Sequence, residues 1–204
     1  MFFPAYRITT PRMLIRCYNP TDAILLANAI TKSLDHLLPW MPWANAEPEP
    51  LANKVERLRR MRSNFDLNND FVYGIFNPEG TRLIGGTGLH PRIGSGALEI
   101  GYWIHKDYVN NGYATEAAAA LTQVAFRINK VGRVEIHCAV DNLPSASVPR
   151  KLGFTHEANL KDRGYSHGKP CDQMIWSLFA LNYPNSPAAF SPIAAFDAAE
   201  SQLI

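Results

Sequence analysis

The sequence predicts an α+β domain of α/β/α type, with a mixed, mostly antiparallel central sheet of about six to seven strands flanked by helices. Three observations predict it. In the middle of the chain, three strand-like runs follow one another with turn signals between them. On either side, helical apolar stripes alternate with further strand-like runs. With 204 residues, 47% hydrophobic and 19% charged, the chain can bury one full core. The expected organisation is a single domain over residues 1–183 and an Ala/Ser/Pro-rich tail over 184–204.

A first strand is predicted from Arg12 to Tyr18, bounded by Pro11 and Pro20, and a helix from about Thr21 to Leu37. The stretch Pro39 to Pro50 holds four prolines and two tryptophans, which excludes a helix and predicts an irregular aromatic loop. Leu51, Val55, Leu58, Met61 and Phe65 then recur at helical spacing, with Lys54, Arg57, Arg59, Arg60 and Arg62 between them. The basic face of this helix reads as solvated in preference to a phosphate contact. Phe71–Phe76, Arg82–His90 and Ala97–His105 read as an antiparallel meander, joined through Asn77-Pro78-Glu79-Gly80 and Gly94-Ser95-Gly96. From Gly112 the period changes. Ala114, Ala117, Ala118, Leu121, Val124, Ala125 and Ile128 form one helical stripe that ends before Gly132. A strand from Arg133 to Val140, a short helix near Ser145 to Lys151 and a final strand from Asp172 to about Leu181 complete the alternation. The tail is an appendage that either stays mobile or docks on a neighbour.

A net charge of +2 is too mild for a polybasic nucleic-acid or membrane surface, so neither partner is expected. Cys17, Cys138 and Cys171 are odd in number and far apart, which fits a reducing cytoplasm. The N-terminal segment MFFPAYRITTPR lacks a secretory h-region, and no apolar run approaches the roughly 20 residues that span a bilayer. The six histidines show no metal-ligand spacing, so no metal is expected. A dinucleotide-binding reading fails for want of GxGxxG after a first strand.

The chemistry-bearing segment runs from Ala97 through Lys106-Asp-Tyr-Val-Asn-Asn-Gly to Tyr113-Ala-Thr-Glu-Ala117, a strand entering a helix through a tight turn. Free N–H groups at such a helix start, with the positive end of its dipole, stabilise a phosphate without any basic side chain. Gly112 and Ala114 leave the backbone bare for close approach. IGYWI, NNGYATEA and NLPSASVPRKLGF (142–154) together resemble the GNAT superfamily of N-acetyltransferases, in its RimJ/RimL-type branch. TTPRMLIR from Thr9 and LPWMPWA from Leu38 extend the resemblance over residues 8–183.

The resemblance implies acetyl-CoA as co-substrate and an amine acceptor, either a protein N-terminus or a small molecule. Val109, Asn110, Asn111, Gly112, Tyr113, Ala114 and Thr115 would form the pyrophosphate loop. Val109 stands where the family carries Gln or Arg and Asn110 where relatives carry Gly, so backbone amides must do most of the binding. Amides around Trp103 and Ile104 would stabilise the oxyanion. An amine attacking a thioester needs a base, and Glu99 is the candidate; it reads equally as an ion-pair partner. Pro149 occupies the position of the family's tyrosine acid and has no donor. Ser145, one turn earlier, is assigned to the leaving sulfur, with a helix cap as its other reading. Asn142 is assigned to the pantetheine amides and Lys151 to a phosphate, and either could serve the fold instead. Trp40 and Trp43 read as an acceptor-side lid or as core. A catalytically silent acyl-CoA sensor is the alternative function, and the oligomeric state, including a homodimer, stays open.

Overall fold

The computed structural model describes residues 4–204; the first three residues of the segment inspected for a leader lie outside it. One sheet carries nine strands: β1 (Arg7–Thr9), β2 (Leu14–Cys17), β3 (Phe71–Phe76), β4 (Leu83–His90), β5 (Ala97–Ile104), β6 (Arg133–Ala139), β7 (Thr155–Ser166), β8 (Lys169–Phe179) and β9 (Ala194–Phe196). Their order across the sheet is β7-β8-β6-β5-β4-β3-β2-β1-β9. The helices are α1 (Ala23–Leu37), α2 (Leu51–Asp66), α3 (Tyr113–Arg127) and α4 (Leu143–Lys151).

The mixed, mostly antiparallel architecture agrees with the prediction, but nine strands exceed the six to seven expected. The extra strands have physical reasons to escape periodicity. β1 and β9 are three residues each, too short to alternate. β7 is exposed along most of its length, so it shows no apolar phase and is held by its hairpin with β8.

Alternation along β5 separates two layers. Leu98, Ile100 and Ile104 face α3, whose run of buried alanines from Ala117 to Ala120, with Leu121, Val124 and Ala125, lets helix and sheet approach closely. Trp103 faces the other way, into a second cluster of Tyr18, Leu26, Ile30, Leu58 and Phe76 joined by Trp43. The basic face of α2 departs from its solvated reading at two positions. Lys54 is 1% exposed and meets Glu47 at 2.7 Å and Glu49 at 3.3 Å, and Arg57 pairs with the same two carboxylates. Arg59 and Arg60 are exposed as expected.

Residues 184–204 pack against the domain. β9 pairs antiparallel with β1, Ala188 and Ala195 are fully buried, and Gln123 of α3 donates to the Ser191 carbonyl at 2.6 Å.

The feature that positions the site is the junction of β5 with β6, the one parallel pair among the described residues. It is paired only from Ala97 to Glu99 against Arg133 to Glu135. Beyond Glu99 the two strands part, leaving a wedge whose vertex lies at Glu99.

Candidate active site

At the far end of the wedge, β5 runs through residues 105–112 into α3. Gly112 is the N-cap at φ +81°, a left-handed conformation that costs glycine nothing, and Asn110 adopts φ +61°. The first paired helix amide is that of Glu116, which donates to the Gly112 carbonyl at 3.0 Å. The amides of Tyr113, Ala114 and Thr115 thus begin the helix with no side chain capping it, as an anion site requires. The side chains of Val109, Tyr113 and Ala114 are partly buried against the core, and the unpaired donors of the turn are backbone amides. This is why loss of a polar residue at Val109 leaves the turn intact. Asn111 Nδ2 donates to the Val109 carbonyl at 3.0 Å and braces it.

Arg12, from the loop between β1 and β2, secures the turn from outside. It donates to the Asn111 carbonyl at 2.9 Å, pairs with Glu116 at 2.6 Å and lies 4.6 Å over the Tyr113 ring. The pairing neutralises the one carboxylate in the first turn of α3. A cleft of about 480 Å³ opens here, lined by Arg12, Gly112, Thr115, Lys151, Ser191 and Pro192 among others. Lys151 therefore reaches the helix start from α4, and the C-terminal segment supplies one wall.

The β5 edge facing the wedge follows from ladder parity. His105 N–H bonds the Ile84 carbonyl at 2.8 Å, and the Gly101 carbonyl accepts from Thr87 Oγ1 at 2.8 Å, so odd-numbered backbone groups point at β4. Ile104 and Tyr102 direct their amides toward the opening. The Trp103 amide, expected beside Ile104 as an oxyanion donor, is used by the β4 ladder instead. Its indole lies over Gly86, where an added Cβ would come within 2.4 Å of Nε1.

On α4, Ser145 and Asn142 exchange the roles that remained open in the sequence. Asn142 is the N-cap, its side chain accepting from the Ser145 amide at 3.1 Å, so the cap reading belongs to Asn142 and not to Ser145. The Ser145 hydroxyl lies 3.1 Å from the Tyr102 hydroxyl, which also donates to the Ser145 carbonyl at 3.0 Å. These bonds cross the wedge from β5 to α4. Tyr102 was not singled out in the sequence, because alternation places it among the core positions of β5. Burial raises its pKa far beyond the ordinary tyrosine value.

Glu99 shares the face of Trp103. Both its oxygens are held by Arg92, Nη2 to Oε1 at 2.6 Å and Nε to Oε2 at 2.8 Å, and His137 Nδ1 stands 3.8 Å from Oε2. Burial pushes its carboxyl upward, but the Arg92 hydrogen bond and the charges of His137, Arg92 and His90 outweigh this and hold it below the usual carboxylate range. A carboxylate so held is a weaker proton acceptor than an unpaired one, and the ion-pair reading of Glu99 describes its contacts. Two further histidines surround it, neither singled out in the sequence. His137 Nε2 meets Glu135 at 2.6 Å, and His90, the cross-strand partner of Glu99, holds Asp70 at 2.6 Å through Nδ1. A histidine closing the glycine-rich run GGTGLH was the legible signal for His90; the partnership with Asp70 had none.

Loop 39–50 covers this face. Trp43 meets Trp103 edge-on at 6.1 Å, and Trp40 meets His167 of the β7–β8 turn at 5.3 Å. His167 N–H donates to the Pro39 carbonyl at 2.7 Å, and Asn45 donates to the Tyr165 hydroxyl at 2.8 Å. The two tryptophans thus do different things, Trp43 joining the core cluster and Trp40 joining loop to hairpin. No group of His, Cys, Asp and Glu able to hold a metal occurs among the described residues, and no described helix is long and apolar enough to cross a membrane.

A sheet wedged open at its parallel pair, with a bare helix start at one end and an acid–base cluster at the vertex, defines the class as an acyl-group transferase. A family model described as acetyltransferase (GNAT) domain matches residues 12–155, and the chain belongs to that family as an N-acetyltransferase. It is 31% identical over 166 residues to YdaF of Bacillus subtilis (strain 168), named as a candidate ribosomal N-acetyltransferase, covering 80% of this chain and 89% of that protein. It is 24% identical to the [ribosomal protein uS5]-alanine N-acetyltransferase of Escherichia coli (strain K12), covering 86% and 91%. The fold matches Mycobacterium smegmatis RimJ, solved in complex with CoA-disulfide, at TM-score 0.81 and 21% identity, covering 93% and 95%.

Proposed function

We propose that the protein transfers the acetyl group of acetyl-CoA to a primary amine by direct attack in a ternary complex, with a protein N-terminus as the preferred acceptor. The wedge between β5 and β6 carries this reading. In this reading an extended pantetheine arm lies along the unpaired β5 edge, with the diphosphate at the α3 amides and the thioester toward the vertex. Lys151 supplies positive charge beside the helix start, and Arg12 offsets the charge of Glu116 there. Of the two amides that face the opening, that of Tyr102 lies nearer the vertex and would bond the developing oxyanion, and that of Ile104 would bond the pantetheine arm. Ser145, oriented by Tyr102, offers its hydroxyl to the departing sulfur. Glu99, kept ionised by Arg92, attracts the acceptor ammonium. A protein acceptor is supported by the names of the B. subtilis and E. coli relatives.

The test is release of CoA thiol with acetyl-CoA and a panel of N-terminal ribosomal-protein peptides and small amines. Turnover on a peptide supports the reading; acetyl-CoA binding with no turnover on any acceptor replaces it with the sensor module. Within the enzyme, Ser145→Ala is expected to lower kcat about tenfold, the worth of one hydrogen bond made mainly in the transition state, with acetyl-CoA affinity within about twofold of wild type. Steady-state kinetics beside calorimetry separates the two.

A further inference from the structure

The acceptor arrives as an ammonium and cannot attack until it loses a proton. The carboxylate nearest the vertex is a poor place for that proton, since Arg92 holds both oxygens of Glu99. The imidazole across the strand is better placed. His90 Nδ1 lies 2.6 Å from Asp70 Oδ1, and because a carboxylate can only accept, Nδ1 carries the hydrogen and Nε2 presents its lone pair. Among the described residues no hydrogen-bond partner reaches Nε2.

The strands are shaped around that ring. Gly88 and Gly101 face each other across the β4–β5 ladder. A Cβ on Gly88 would stand 2.5 Å from Nε2, and one on Gly101 3.4 Å from it. The two facing glycines thus clear the space that the imidazole occupies beside Glu99.

We propose that His90, oriented by Asp70 on the floor of Gly88 and Gly101, is the general base that takes the proton from the acceptor ammonium. The inference rests on the acetyltransferase reading. One proton passes from the ammonium to Nε2, the freed amine forms the C–N bond to the thioester carbonyl, and the C–S bond breaks with its electron pair going to sulfur. The second amine proton goes to the thiolate, and imidazolium returns its own to solvent. The charged groups facing His90 are Asp70 ahead of β3, Arg92 beyond β4 and Glu99 on β5, with His137 of β6 behind Glu99.

The experiment is the steady-state kinetics of a peptide amine that the wild type acetylates, run on wild type, His90→Gln, His90→Gly and Asp70→Asn, with acetyl-CoA affinity measured alongside. For His90→Gln a fall of about 10²-fold or more in kcat is expected, with acetyl-CoA affinity unchanged, since general-base catalysis typically contributes 10²- to 10⁴-fold. For Asp70→Asn a fall of about tenfold in kcat is expected, because the ring loses the charged partner that orients it. Added imidazole should restore turnover to His90→Gly, an effect that a merely structural role would not produce. Turnover by His90→Gln within threefold of wild type, or no restoration of His90→Gly by imidazole, overturns the inference and leaves the acetyltransferase reading standing. A wild type that binds acetyl-CoA and acetylates no amine overturns both.

Discussion

Replacing Gly112 with valine is expected to weaken acetyl-CoA binding about 100-fold, equivalent to some 2.7 kcal/mol. Crowding is not the reason, since a Cβ there would meet only Arg12 Nη2, at an ordinary 3.5 Å. Conformation is. At φ +81° a β-branched residue costs roughly 1–3 kcal/mol, and the backbone relieves that by rotating out of the left-handed region. Rotation at the N-cap redirects the amides of Tyr113, Ala114 and Thr115, which are the proposed diphosphate donors. Gly112→Ala, strained but less bulky, should lose about tenfold. Calorimetry with acetyl-CoA checks both, and a valine variant binding within threefold of wild type would show that the grip lies elsewhere.

The largest effect on stability is expected at Phe65. Its side chain is fully buried and makes edge-on contacts with Tyr6, Phe71 and Tyr73 at 5.1, 5.6 and 5.0 Å between ring centroids. Phe71 and Tyr73 lie on one face of β3 and Tyr6 just ahead of β1, all held by the sheet, so they cannot collapse into the space left by truncation. Phe65→Ala should therefore cost about 3–5 kcal/mol and lower the melting temperature by roughly 10 °C. Phe65→Leu, which keeps most of the volume, should lose less than half as much. Thermal melts of the two variants decide it, and equal small shifts would show that this corner of the core repacks freely.

α1 and α2 were legible in the sequence because each buries one stripe, and a stripe repeats at 3.6 residues. α3 is buried on every side from Ala117 to Phe126, more than its predicted stripe, and was legible through its length and its bounding Gly112 and Gly132. β3, β4 and β5 were legible for a similar reason, since turn residues bound each of them. β7 was not, because an exposed hairpin strand is stabilised by ladder bonds that leave no mark on the order of polar and apolar residues. Nor was the C-terminal segment, whose Ala195 and Ala188 are buried by a partner strand and by α3, elements far away in the chain.

The candidate site divides along the same line. The turn proposed to hold the diphosphate could be read from residues, because its bare amides follow from a local backbone conformation that Gly112 and the following helix dictate within a few positions. The acid–base cluster could not. Glu99 read equally as base and as ion-pair partner until the fold put Arg92 against it, and His90 gained its meaning from Asp70, Gly88 and Gly101, which three separate segments bring together. By itself the sequence determined the layered fold, the family and the turn, all properties of contiguous chain. Only the tertiary structure decided which groups carry protons, because proton affinity is set by charges and burial across space, and those distances have no counterpart in sequence order.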